Sequence, residues 1–262
     1  MDWFFATNDS ALAFPLYADL AKVAVHTVLM RTRLRPHLLY DGKENAFSKW
    51  MRDRGVKVIN LETSFLNDFP EIAQPLNESE RSALRGIFLK LELPQLGARL
   101  GLSDYVLYTD CDVMFCGDVV DELSAIECRY FAVAGEFNAN DYSKMNSGVM
   151  WMNLAGLREV APEFRESVRA HLRDPQGRSW DQGALIRFFG GENFRWNKLR
   201  PELNWKPYWG ANDKAKIIHF HGPKPYQRPF LDQIPQVHHL TVGAYDELSR
   251  EWERLLAAAH AT

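Results

Sequence analysis

Apolar and polar positions along the first sixty residues switch between two periods. Trp3 to Ala6 is a short apolar run that gives way to Thr7, Asn8, Asp9 and Ser10, side chains suited to a turn or a helix cap. Leu16, Leu20, Val23 and Thr27 then recur at helical spacing up to about Arg31. His37 to Tyr40 is a second short apolar run, closed by Asp41 and Gly42. Phe47, Trp50 and Met51 share one helical face, Gly55 offers a helix stop, and Val56 to Leu61 is a third run. The order is β-α-β-α-β, which favours a parallel sheet with right-handed crossovers.

Further on, Asn77-Glu78-Ser79-Glu80 has the form of a capping box and opens a helix predicted to run to about Leu93, with Pro94 and Gly97 ending it. Tyr105 to Thr109 is an apolar strand leading into Asp110-Cys111-Asp112. Tyr130 to Ala134 and Val149 to Leu154 are further predicted strands. Leu157 to Leu172 is a predicted helix with Pro162 in its first turn. Trp180 to Phe189 is a short helix, Ile217 to His221 the last strand, and Tyr245 to Ala259 a C-terminal helix. No repeat, low-complexity tract or linker interrupts the 262 residues, so the expectation is one α/β domain over 1–262.

Composition narrows the class. Apolar residues make up 46% and charged residues 25%, as in ordinary globular chains rather than disordered or fibrous ones. A net charge of −3 gives no global field to recruit nucleic acid. Three cysteines (Cys111, Cys116, Cys128) form neither a disulfide ladder nor zinc-type pairs, which fits a reducing, cytoplasmic setting. The N-terminus lacks the basic segment and apolar length of a signal peptide. No apolar run approaches the ~20 residues of a membrane span.

In open α/β sheets, ligands bind beyond the carboxyl ends of the strands. Asp110 and Asp112 stand there, two apart, so an extended chain points both carboxylates one way. Like charges so placed repel unless a cation lies between them, and Mg²⁺ or Mn²⁺ prefers such oxygen ligands. An ordinary pair of solvated turn aspartates reads the same in sequence. His219 ends a strand behind Ile217 and Ile218 and shares a face with His221; it suits a ligand or a structural hydrogen bond. Gly222-Pro223-Lys224-Pro225 would hold Lys224 as a fixed point charge for phosphate, or simply make a turn. Ser179-Trp180-Asp181-Gln182 is itself a capping box, so Asp181 has a structural explanation as well.

Taken together, these segments resemble glycosyltransferase family 8. The likeness rests on Phe5-Ala6-Thr7-Asn8-Asp9 at the first strand and on Val106 to Val113 around Asp110 and Asp112. It extends to Asn146-Ser147-Gly148-Val149 through Asn153-Leu154, to Asp181-Gln182-Gly183, and to Ile218-His219-Phe220-His221-Gly222 through Lys224-Pro225. The resemblance implies a GT-A fold, with a Rossmann-like, mostly parallel central sheet flanked by helices. It also implies a nucleotide-sugar donor, usually UDP-linked, Mn²⁺ or Mg²⁺ dependence, and hexose transfer to a glycan or other hydroxyl with retention of anomeric configuration. Asp110, Asp112 and His219 would hold the metal. Ala6, Thr7 and Asn8 would hold base and ribose, and Gly222 and Lys224 the diphosphate. Asn146 and Ser147 would also line the donor site, and Asp181 and Gln182 would be the catalytic pair. Lys90 falls where many members place an arginine toward the donor; a solvated helix lysine is the other reading. The loop after His219 is one residue shorter than the family pattern, which bears on the reach of Lys224.

Between Arg195 and Arg228 eight basic residues stand against two acidic ones, a net +6, with Trp196, Trp205, Tyr208 and Trp209 interleaved. That suits an acceptor surface for an acidic or membrane-associated glycan at the inner face of a membrane, or a solvated face over packed aromatics. A haloacid-dehalogenase-type phosphatase would also place Asp110-Cys111-Asp112-Val113 after a strand, but on its first strand and with an acidic pair late in the chain. No G-x-G-x-x-G follows the first strand, which disfavours a dinucleotide-dependent oxidoreductase. A non-catalytic nucleotide-sugar binder on the same fold stays open.

Overall fold

A computed structural model describes residues 1–10, 16–71, 77–172 and 181–261. Seven strands form the central sheet in the order β3-β2-β1-β4-β7-β6-β8. They are β1 (Asp2–Asn8), β2 (Arg35–Asp41), β3 (Lys57–Asn60), β4 (Tyr105–Thr109), β6 (Phe131–Gly135), β7 (Met145–Asn153) and β8 (Asn197–Lys198). All pairings are parallel except those of β7, which runs against both β4 and β6. This is the mostly parallel sheet expected. A second ribbon pairs β5 (Val113–Phe115) with β9 (Ile217–His219), antiparallel.

Both faces of the sheet's centre are covered, which explains why β1, β4 and β6 read as apolar runs, while the edge strands β3 and β8 are more exposed. Along β1, Trp3 and Phe5 point into one core while Phe4 enters the other. The first core is closed by α1 (Tyr17–Arg31), α2 (Ala46–Asp53) and the C-terminal α9 (Tyr245–Ala261). The second is closed by α3 (Glu78–Phe88), α4 (Leu93–Leu100), α6 (Leu154–Glu159), α7 (Ala161–Leu172) and α8 (Asp181–Phe189). The short α5 (Val120–Ser124) brings Leu123 to the first core.

Several expected boundaries move. The capping box at Asn77 forms, with the Asn77 side chain accepting from the Glu80 N–H, but α3 ends at Phe88. A 3₁₀ turn over Leu89–Glu92 follows, and Pro94 begins α4 instead of ending α3, because a first-turn proline gives up no hydrogen bond. Gly97 lies inside α4, where a Cβ would come within 2.5 Å of Leu154; Gly101, with φ of 62°, makes the actual stop. The helix predicted over 157–172 is two helices, with Pro162 in the first turn of the second. Strand β7 starts four residues before Val149, at Met145, and β9 stops at His219 rather than His221. Thr7 and Asn8 belong to β1 rather than to the turn after it. Strand β5 has only three residues, too few to show a period. The Ser179–Trp180 part of the proposed cap lies outside the described residues.

One buried carboxylate ties the 3₁₀ turn to its surroundings. Glu92 accepts from the Ser64 N–H at 2.8 Å and from the Ser64 and Thr63 hydroxyls at 2.8 and 3.2 Å, and it pairs with Arg165 at 3.2 Å. Replacing Glu92 with alanine leaves Arg165 and the Ser64 N–H without that partner. The expected cost is about 3 kcal/mol in a urea melt, within the range for breaking a buried pair. A midpoint matching the unsubstituted protein would show that Glu92 holds nothing together.

Candidate active site

The strand ends converge as the topology requires. Strands β1, β4 and β6 finish at one edge of the sheet, and β7, being reversed, starts there. A cleft of about 610 Å³ opens at that edge, with Ala6, Thr7 and Asn8 on one wall and Asn146, Ser147, Asp181 and Gln182 on another. Asp110, Asp112, His219 and Lys224 also line it. Gly222 does not. Its φ of 99° and the Leu240 side chain, 2.7 Å from where a Cβ would stand, account for the glycine.

Two backbone pairings bring Asp110, Asp112 and His219 together. The Asp110 N–H donates to the Gly148 carbonyl of β7 at 2.8 Å. Asp112 leads directly into β5, whose partner is β9, and Val113 lies opposite His219. One ligand atom from each of Asp110, Asp112 and His219 falls within 4.8 Å of the others. Gly148 is needed beneath the imidazole: a Cβ there would come within 2.1 Å of His219 Cε1.

These three residues fit a divalent cation. Asp112 Oδ1 is buried and has no hydrogen-bond partner among the described residues, and His219 Nε2 lies 3.4 Å from it. Burial pulls the His219 pKa down to about 4 against the opposing pull of Asp112, which leaves the imidazole neutral and able to ligate. Two carboxylates and one imidazole suit a hard-to-borderline ion such as Mn²⁺.

Cations of the chain itself balance the cleft. Burial alone would raise the Asp112 pKa, but the Lys224 ammonium outweighs it and holds the carboxylate well below its usual range. Lys224 Nζ pairs directly with Asp112 Oδ2 and donates to the Phe220 carbonyl at 2.9 Å. Crowding by protein raises Asp110 to about 6 even though its side chain is partly open, with Lys90 opposing the shift. Lys90 is 2% exposed rather than solvated, lying 2.6 Å from Asp181 and 3.5 Å from Asp110. Burial would lower its pKa; the two carboxylates reverse that and hold it above its usual value.

The sequence did not single out Glu136 or Asn204. Glu136 Oε1 accepts from Gln182 Nε2 at 2.7 Å and lies 3.6 Å from His221 Nε2. Its position just beyond the end of β6 was the available signal, since Asp110 follows β4 in the same way. Asn204 contacts both Asn146 and His219, and no local pattern marks it. Thr7 Oγ1 is buried with no partner among the described residues. Gly86 of α3 approaches Asn8, whose amide nitrogen would be 3.2 Å from an added Cβ.

Half of the basic segment is tied into the protein, while Arg195, Lys198, Arg200 and Lys214 are exposed. Lys206 is fully buried and donates to the Gly135 carbonyl at 2.8 Å, and Trp196 is buried too. Lys224 pairs in the cleft, Lys216 with Glu122, and Arg228 with Glu253 and Asp246.

No protein-family model matches the chain, and no curated protein matches it in sequence. Solved structures do. The galactosyltransferase LgtC, determined with donor and acceptor sugar analogues, superposes with a TM-score of 0.67 at 18% identity, over 98% of this chain and 96% of its own. The glycosyltransferase GlyE of Streptococcus pneumoniae TIGR4 gives 0.64 at 16% identity, over 99% of this chain and 63% of its own. Mouse xyloside xylosyltransferase 1 gives 0.58 at 15% identity, over 84% and 97%. The likeness establishes the fold: this chain has the GT-A architecture of glycosyltransferases.

The Asp112–Lys224 pair carries a pH signature. Asp112 ionises more easily folded than unfolded, so its contribution to stability is complete above about pH 4 and fades as pH falls toward the folded value. In chelator, Lys224→Met should therefore destabilise the protein near pH 7, and its deficit should shrink toward about pH 3. A deficit constant across that range would place the pair outside the folding balance.

Proposed function

We propose that this chain is a metal-dependent, retaining glycosyltransferase. It would transfer a hexose from a nucleotide sugar, UDP-linked by family resemblance, to a glycan or other hydroxyl acceptor. One observation carries the reading: two carboxylates and a neutral histidine meet at the strand ends, with a buried Asp112 oxygen that has no hydrogen-bond partner among the described residues. Asp110, Asp112 and His219 would hold the cation, which when bound supplies charge neutralisation at the leaving diphosphate. Lys224 is within the same cleft and would turn from Asp112 to the diphosphate as that group arrives, adding a second positive charge where negative charge develops. Ala6, Thr7 and Asn8 would take the nucleoside, and Asn146, Ser147, Asp181 and Gln182 the sugar.

The committed hydrogen bonds argue for same-face attack. Asp181 Oδ2 accepts from Lys90 at 2.6 Å and from Ser147 Oγ at 3.2 Å. Gln182 uses its carbonyl oxygen for the Ser147 N–H at 2.9 Å and its nitrogen for Glu136. An aspartate so neutralised and a neutral amide are poor nucleophiles. Attack on the face the diphosphate leaves, with the departing phosphate oxygen taking the acceptor proton, needs neither. Asp181 and Gln182 then orient the sugar and stabilise positive charge at the anomeric carbon.

Turnover of a nucleotide sugar should stop with chelator and return best with Mn²⁺, and Asp112→Asn should lose metal-dependent donor binding while still folding. Full activity in excess chelator would sink the metal assignment. Lys224→Ala should cost about 3 kcal/mol in the chemical step while nucleoside binding changes little. Product anomers read by NMR should show retention; an inverted product, or a trapped glycosyl ester on Asp181 or Glu136, would refute the same-face mechanism.

A further inference from the structure

The side chains behind His219 form one hydrogen-bonded row with a fixed direction. It starts at Glu136, whose ionised carboxylate can only accept, so the Gln182 atom 2.7 Å away is the amide nitrogen. Gln182 Oε1 then accepts from the Ser147 N–H at 2.9 Å and from Asn146 Nδ2 at 3.3 Å. Asn146 Oδ1 accepts in turn from the Gly148 N–H at 3.3 Å and from Asn204 Nδ2 at 3.1 Å. The two backbone N–H groups repeat the constraint set by Glu136, so neither Gln182 nor Asn146 can be turned over without stranding a donor against a donor. That leaves Asn204 Oδ1 facing His219 Nδ1 at 3.0 Å.

An amide oxygen accepts and never donates, so Nδ1 carries the hydrogen. A neutral imidazole has one N–H, so Nε2 is bare. This bare nitrogen lies 3.4 Å from Asp112 Oδ1. Backbone pairing holds Asn204 in place: the Trp205 N–H donates to the Ile217 carbonyl and the His219 N–H to the Trp205 carbonyl, each at 2.8 Å. Asn204 is fully buried, and Gly148 closes the other side of the ring.

We infer that Asn204 is a positioning residue that fixes His219 in its Nδ1–H form and aims the bare Nε2 into the Asp110–Asp112 cluster, and that the same amide row ties this aim to Gln182. The inference rests on the reading of Asp110, Asp112 and His219 as cation ligands. Outer partners of ligating histidines set ring orientation and basicity, and losing one typically costs 10–100-fold in metal affinity.

Two measurements test it without relying on turnover. In chelator-treated protein labelled with ¹⁵N-histidine, with the resonance assigned through His219→Gln, the imidazole nitrogens of His219 should report the Nδ1–H form. Calorimetric titration with Mn²⁺ alone should then show Asn204→Ala weakened by about 10–100-fold. Asn204→Asp, which still accepts from Nδ1–H but sets an oxygen against Asn146 Oδ1, should keep clearly more Mn²⁺ affinity than Asn204→Ala. A role limited to packing would move the two variants together. An Nε2–H form in the unsubstituted protein overturns the inference whether or not any variant folds, as does full Mn²⁺ affinity in a folded Asn204→Ala. Absence of Mn²⁺ binding by the unsubstituted protein defeats the metal reading instead, and the nitrogen spectrum then still decides the Asn204 claim.

Discussion

Crowding of like charge at one end of the sheet is the constraint around which the molecule is arranged. Asp110, Asp112, Asp181 and Glu136 all open into the same cleft. Carboxylates that close in a partly dry site cannot all stay ionised unless positive charge is built in among them. Lys90 answers Asp181 and Asp110 from inside the protein, and Lys224 answers Asp112 from the loop after β9. Glu136 is met by Gln182 and His221. The contacts draw in segments far apart in the chain, and Lys90 is too buried for water or salt to take its place.

The reversed strand makes the crowding possible. With β7 antiparallel between β4 and β6, its first residues sit beside the last residues of its neighbours, so Asn146 and Ser147 face Asp110 across the sheet edge. The β6–β7 register shifts between Val133 and Ala134, and Ser147 to Val149 have no partner on β6 as a result. Residues freed in this way can turn toward a ligand, a common use of strand irregularities beside functional sites. Gly148 sits in this stretch and leaves room for the His219 ring.

Much of this was legible in sequence wherever chemistry and periodicity were local. The first β-α-β-α-β run, β4 and the place of Asp110 and Asp112 at its end follow from apolar runs and spacing, whereas their reading as ligands needed the family resemblance. Pro94 misled because a proline marks a first turn as readily as a stop, and only the packing of Gly97 on Leu154 separates the two. Lys90 looked like a helix-surface lysine because its two acidic partners lie 20 and 91 positions downstream. Asn204 was invisible for the same kind of reason: its role exists only once the backbone at 204–205 lies along β9.

The basic segment shows why formal charge is a poor guide to surface field. Lys206 counts as +1 in sequence, yet its ammonium is buried against the Gly135 carbonyl with the Trp209 ring 4.5 Å away, and burial pushes its pKa well below the usual lysine value. Trp209 in turn donates to the Phe137 carbonyl and packs edge-on against Trp205, while Tyr208 donates to the Glu136 carbonyl. Three of the residues that suggested an electrostatic acceptor surface therefore brace the corner at 135–137. That corner carries Glu136 into the cleft, so these three residues shape its wall.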